Sequence, residues 1–168
     1  AAGPDRRIIF LANPNNPTGT MISAAEVARL HAGLRPDILL VVDQAYAEYL
    51  DSPDPDGGLK LAAEHPNVLV TRTFSKIYGL GGLRVGWATG PAAVIAELNR
   101  VRAPFPVSVP ALAACEAALD DQPFVVECRR RNAEQRAILA AGIARLAGKG
   151  LGAVPSHANF VLMTCPES

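Results

Sequence analysis

The sequence predicts an α/β fold built on a largely parallel sheet. Short apolar runs alternate with longer amphipathic stretches, which is the pattern of strand–helix units. Each apolar run is too short for a helix and is closed by turn-forming or polar residues. The polar residues Asn16, Asp43 and Lys76 each fall just after a strand. Open parallel sheets bind their ligands at that end.

Each element has its own justification. Ile8 to Ala12 is an apolar run of strand length, stopped by the turn-rich segment Asn13-Pro14-Asn15-Asn16-Pro17-Thr18-Gly19-Thr20. Ser23 and Glu26 have capping-box spacing, so a helix begins there and runs to about Leu34, where Arg35-Pro36-Asp37 breaks it. Ile38 to Val42 is a second buried strand ending at Asp43. Ser52 to Gly58, with its prolines and glycines, reads as loop. Val68 to Thr73 and Leu83 to Thr89 are the third and fourth strands. Gly90-Pro91 starts a helix whose apolar stripe is Val94, Ile95, Leu98 and Val101. A further helix covers about Ala111 to Leu119. Pro123 opens a long one to about Leu146, ended by Gly148, Gly150 and Gly152. Val154 and Phe160 to Met163 read as strands of a new unit. The expected organisation is therefore one unit over 1–122, then a linking helix and the start of a second unit over 123–168. The chain opens at Ala1-Ala2-Gly3-Pro4 almost on a strand and stops at Cys165-Pro166-Glu167-Ser168 without a cap. Both ends read as cut, and an internal piece of a longer protein is expected.

Composition narrows the function. Sixteen Lys+Arg balance sixteen Asp+Glu over 168 residues, which argues against nucleic acid or a membrane as partner. The longest charge-free run, Ile8 to Ala25, is interrupted by Asn and Pro and is unsuited to span a bilayer. Cys115, Cys128 and Cys165 are far apart and odd in number, and His31, His65 and His157 are scattered. No disulfide framework or metal site is expected, and a reducing cytoplasm fits. Of the sixteen basic residues only Lys60, Lys76 and Lys149 are lysines. Lysine can lose its proton and act as a nucleophile, and arginine cannot.

Three segments could carry chemistry. Thr73 to Arg84 gathers two hydroxyls, the Lys76 amine, three glycines and an arginine. Glycines let backbone N–H groups approach an anion, and arginine grips phosphate bidentately. The spacing is neither a P-loop nor G-x-G-x-x-G. A lysine in such a cationic, apolar setting can form a Schiff base, although the segment alone reads equally well as a surface loop. Asp43 ends a buried strand, where a carboxylate needs a partner. It could bind metal, act as a base, pair with a cationic ring nitrogen or cap the following residues, metal being the weakest option. Tyr46 is close enough to share its site. Asn16 could hold a ligand oxygen, or the Asn–Pro segment could be turn chemistry only.

Taken in order, Asn-Asn-Pro-Thr-Gly, then Asp-x-x-Tyr after a buried strand, then Ser-Lys-x-x-Gly-Leu-x-Gly-Leu-Arg resembles the pyridoxal-phosphate aminotransferases of fold type I, most closely the histidinol-phosphate aminotransferase group. Asp43 to Tyr49, Thr71 to Lys76 and Ser156 to Phe160 add to the resemblance, which covers nearly the whole chain. It implies a three-layer α/β/α large domain with a mostly parallel sheet, followed by the start of a smaller α+β domain. It implies pyridoxal 5'-phosphate as cofactor. Lys76 would bond the cofactor and shuttle a proton. Asp43 would pair with the ring nitrogen, and Asn16 and Tyr46 would bond the phenolic oxygen. Thr73, Ser75 and Arg84 would hold the phosphate, with Tyr78 a candidate wall residue. Gln44 stands where relatives usually carry Glu, Pro106 where Asn is common, and Thr164 where many have Arg.

The expected reaction is amino transfer from L-histidinol phosphate to 2-oxoglutarate, in histidine biosynthesis, by a homodimer. The alternatives are the same chemistry on aromatic amino acids, decarboxylation of an amino-acid phosphate, and a non-catalytic cofactor-sensing domain. The segments that would complete the substrate site are expected outside this chain, so the piece alone is expected to be inactive.

Overall fold

A computed structural model describes Asp5 and residues 7–166. Ala1 to Pro4, Glu167 and Ser168, on which the reading of cut ends partly rests, lie outside the described residues.

Four strands form one sheet in chain order: β1 (Ile8–Ala12), β2 (Leu39–Asp43), β3 (Val68–Thr73) and β4 (Gly86–Thr89). β1, β2 and β3 are parallel, and β4 runs antiparallel to β3. The register aligns Ala12, Asp43 and Thr71 across the sheet, so the site-bearing ends lie side by side.

Helices α1 (Ala24–Ala32) and α2 (Gly58–Glu64) supply the crossover connections. Ser23 caps α1 in a full capping box with Glu26, which satisfies two otherwise orphaned N–H groups. Val27 of α1 and Leu61 and Ala62 of α2 pack on Leu40, Val42, Val68 and Val70 to make the main core. Burying each such aliphatic side chain contributes about 1.5–3 kcal/mol. The segment after the second strand, read as loop up to Gly58, turns helical at Gly58. Ala47–Tyr49 forms a short 3-10 turn before it.

The fourth strand is shorter than expected. Gly81–Leu83 is a 3-10 turn, Arg84 takes a left-handed conformation at φ 55, and the strand starts only at Gly86. A left-handed non-glycine residue cannot continue a strand. Helices α3 (Ala92–Val101), α4 (Val109–Asp120) and α5 (Gln122–Ala144) follow. Ser108 caps α4 and Asp121 caps α5, each with proline in the first turn. The last strands are β5 (Gly152–Ala153) and β6 (Met163–Thr164), paired antiparallel beside α5. The expected strand over Phe160 to Leu162 is instead irregular chain. No helix among the described residues is long and apolar enough to cross a membrane.

Candidate active site

Successive side chains on a strand point to opposite faces. Val42 and Val70 face α1 and α2, so their neighbours Asp43 and Thr71 face the other way. There the Thr71 hydroxyl donates to Asp43 Oδ1 at 3.2 Å. Asp43 therefore has a side-chain partner on β3, and the 3-10 turn that follows it carries no side-chain cap hydrogen bond. In the sequence Thr71 stands out only as part of the segment Thr71 to Lys76. Its place two residues before Thr73, on the same strand face, is the signal that assigns it to the site.

After β3 the chain doubles back, with Phe74 N–H donating to Val85 O at 3.0 Å and Leu80 N–H to Phe74 O at 3.0 Å. Gly79, at φ 70, makes the reversal. The turn presents Lys76, whose Nζ lies 5.3 Å from the centre of the Tyr46 ring, within cation–π range. Tyr46 is buried. Its hydroxyl accepts from Asn16 Nδ2 at 3.1 Å, and its ring meets Phe160 edge-on at 5.3 Å. Three segments distant in sequence thus converge on one tyrosine.

Next to them, Arg84 Nη1 lies 3.4 Å from Ser75 Oγ and donates to Gly81 O at 2.7 Å. The Thr73 hydroxyl accepts from Ser75 N–H at 3.0 Å and donates to Val85 O at 3.3 Å. The left-handed Arg84 costs about 1–2 kcal/mol in backbone strain. It is held there by Val85, buried with Phe74, Ala111 and Cys115. All seven residues singled out from the sequence thus lie at the carboxyl side of the sheet: Asn16, Asp43, Tyr46, Thr73, Ser75, Lys76 and Arg84. Tyr78 is different. It packs on Phe74 and lines a cleft with Glu48, Arg72 and Arg129. Burial pushes the Tyr78 hydroxyl up, and Glu48 adds to the effect. Burial likewise raises Glu48, against the opposing pull of Arg72 and Arg129.

The segment Ser156 to Phe160 closes over the site. His157 N–H donates to Gly19 O at 2.7 Å. The buried Ala158 carbonyl accepts from Arg136 Nη1 at 2.7 Å and Asn132 Nδ2 at 3.2 Å. This clamp has no signature in the sequence, because its donors Asn132 and Arg136 lie on an arginine-rich helix and carry no local motif.

An amine, a strand-end carboxylate, an Asn–Tyr pair and a Ser–Arg pair thus gather at one end of a largely parallel α/β sheet. Over residues 1–168 the sequence matches the family model for aminotransferase class I and II, and the chain belongs to that family. A histidinol-phosphate aminotransferase of Maricaulis maris is 53% identical over 168 residues, covering 100% of this chain and 46% of that protein. The crystal structure of histidinol-phosphate aminotransferase from Sinorhizobium meliloti in complex with pyridoxal-5'-phosphate superposes with TM-score 0.87 at 34% identity, over 96% of this chain and 43% of that one. Aspartate aminotransferase from Thermus thermophilus superposes at TM-score 0.76 and 28% identity, over 97% of this chain and 44% of that one. The chain thus spans less than half the length of these relatives. The mixed α/β fold with its mostly parallel sheet is the fold of these aminotransferases.

Proposed function

We propose that the protein carrying this chain is a pyridoxal-phosphate-dependent aminotransferase that takes the amino group of L-histidinol phosphate and passes it to 2-oxoglutarate, in histidine biosynthesis. The observation that carries the reading is the meeting of Lys76, Tyr46 and Asn16 beside Asp43. It is supported by the names of the relatives above.

The donor set fits the cofactor. The Ser75 and Arg84 side chains converge as hydrogen-bond donors suited to a dianionic phosphate. Asp43, held by Thr71, offers a carboxylate to a cationic ring nitrogen. When bound, pyridoxal phosphate supplies an electron sink for a carbanion. Asp43 would keep the proton on the ring nitrogen. Asn16 Nδ2 and the Tyr46 hydroxyl would bond the phenolic oxygen. Thr73, Ser75 and Arg84 would fix the phosphate. Lys76 Nζ would hold the cofactor and, once released, carry a proton away from the donor's Cα as a general base. Phe160 packs edge-on against the Tyr46 ring at the same place.

In this reading residues 1–122 belong to the large domain, and 123–168 are the linking helix and the beginning of the small one. The protein works as a cytoplasmic homodimer on small molecules. The balanced charge supports small-molecule partners over nucleic acid or a membrane.

Spectral titration of the full-length protein with pyridoxal phosphate bound tests the reading. L-histidinol phosphate should convert the cofactor to its amine form at far lower concentration than L-phenylalanine, and 2-oxoglutarate should reverse the change. A preference for phenylalanine would overturn the substrate, and conversion by no donor would overturn the activity. Borohydride fixation and peptide mapping should place the cofactor on Lys76. A label on Lys60 or Lys149 would remove Lys76 from its role.

A further inference from the structure

Behind the strand ends, on the face that packs against α1 and α2, lies a second polar cluster. Asn13, Gln44 and Asp56 are buried, with exposures of 2%, 0% and 0%. Among the described residues, Asp56 has no cationic hydrogen-bond partner. It accepts from Asn13 Nδ2 at 2.9 Å, from Gly58 N–H at 3.0 Å and from Gln44 Nε2. Gln44 Nε2 also donates to Asp54 Oδ1 at 3.3 Å, and its Oε1 accepts from Arg72 Nε at 2.7 Å. Arg72 continues to Glu48 at 3.5 Å, to Pro53 O at 2.7 Å and over the Trp87 ring at 5.6 Å. The Asn13 amide is completed by Ile22, which it meets through both its main-chain groups.

Each of the three parallel strands enters this cluster at or just beyond its carboxyl end. Asn13 follows β1 and leads into the turn bearing Asn16. Gln44 follows Asp43, and Arg72 stands between Thr71 and Thr73 on β3. We propose that Gln44 is a positioning residue: as an uncharged relay between the Asp56 carboxylate and the Arg72 guanidinium, it locks together from behind the strand ends that carry the site.

An amide is the one side-chain type of this length that donates toward Asp54 and Asp56 while accepting from Arg72. A carboxylate there would turn only acceptors toward two acidic side chains. An apolar residue would leave Arg72 Nε without its acceptor and Asp56 with one donor fewer, in a buried setting where lost partners are costly. Space is equally constrained. A Cβ at Gly58 would stand 2.8 Å from Gln44 Nε2 and 3.0 Å from Asp56 Oδ1. Gln44 reaches the reaction only through Asp43 and its neighbours, and the inference rests on the cofactor reading given above.

The test uses the full-length protein and its affinity for pyridoxal phosphate across pH. The charged groups facing position 44 are Asp54 and Asp56 from the loop before α2 and Arg72 from β3, with Glu48 beside Arg72. In Gln44→Glu the new carboxyl and Asp56 can share one proton at low pH. As pH rises that proton leaves, two buried anions repel, and the strand ends part. The ratio of variant to wild-type Kd should therefore climb about tenfold or more between about pH 6 and about pH 9. In Gln44→Glu/Asp56→Asn the donor returns to the contact from the other side, so that ratio should become flat with pH, whatever constant offset remains. Gln44→Met, which fills the space without hydrogen bonds, should weaken cofactor binding at all pH values while the protein stays folded. A flat ratio for Gln44→Glu, a double variant as pH-sensitive as the single one, or unchanged affinity in Gln44→Met would each overturn the proposal. Wild-type protein that binds no pyridoxal phosphate would overturn the cofactor reading instead. The melting temperature would then decide: a fall with pH in Gln44→Glu that the double variant lacks supports the relay, and parallel melting curves refute it.

Discussion

Asp43 shows how much one residue's surroundings decide. It ends a buried strand, and its carboxylate accepts from the Thr71 hydroxyl on the neighbouring strand. In the full-length protein, Asp43→Asn should leave pyridoxal phosphate bound, because the substitution leaves the proposed phosphate and lysine contacts in place. Turnover should fall by about a hundredfold to a thousandfold, the usual cost of removing one preorganised electrostatic partner. A neutral amide cannot hold a proton on the ring nitrogen as an anion does. Single-turnover rates measured by absorbance check this, and near-native rates would reduce Asp43 to a structural role. Asp43, Lys76 and Arg84 were legible in the sequence because each sits in a motif with turn or strand punctuation. Gln44 is visible there only as a departure from Glu, and Asp56 and Arg136 not at all, because their partners come from 12 and 22 residues away and no local pattern records the contacts.

Helix α5 and the turn at Gly19 carry the expectations at the level of elements. Glu127 is bonded by Arg130 and Arg131 one turn on, which lowers its pKa to about 2. A lowered carboxyl pKa contributes stability that is fully present above the ordinary value of about 4.5 and is lost as pH falls toward about 2. Helical circular dichroism should show that acid-limb loss in the native protein and a shallower slope in Glu127→Gln. Added salt should shrink the difference, because the pairs are exposed.

Gly19 has φ 72, and a Cβ there would lie 2.2 Å from Ser156 Oγ. Gly19→Ala should cost at least about 1 kcal/mol from the backbone alone and should dislodge the segment that closes over Tyr46. A melting point lowered by several degrees, with weaker cofactor binding, is the expected readout. Gly142 in α5 is the control. Nothing lies within 4 Å of its Cβ position, so Gly142→Ala should stabilise by about 0.5–1 kcal/mol.

At the scale of the whole molecule, the main core lies on the α1–α2 face of the sheet, and β1 is the outer strand among the described residues. Phe10 on the outer strand β1 is 74% exposed, and Val101, Phe105 and Val109 are 81%, 94% and 80% exposed. An uncovered strand edge beside apolar side chains invites pairing with another chain. The 168-residue chain expressed alone should self-associate in light scattering, and Phe10→Lys should reduce that association. A monodisperse monomer would show that the edge is protected. The chain alone should also fail to convert bound cofactor with histidinol phosphate at the full-length rate.

The strand runs, the capping box at Ser23, the prolines opening helices, and the three motifs whose order points to one family are all local or ordered along the chain. These depend on residues within a few positions of each other, so the pattern survives in one dimension. The tertiary structure alone decided that β4 would be short and antiparallel, since Arg84 is held left-handed by the packing of Val85 rather than by its own preference. It alone decided that α2 would form over Gly58–Glu64, anchored by Leu61 and Ala62 against the sheet despite a glycine start. It alone joined Asn13, Gln44, Asp56 and Arg72 behind the site. Buried polar groups must find partners wherever the folded chain brings them, and that requirement is written in three dimensions.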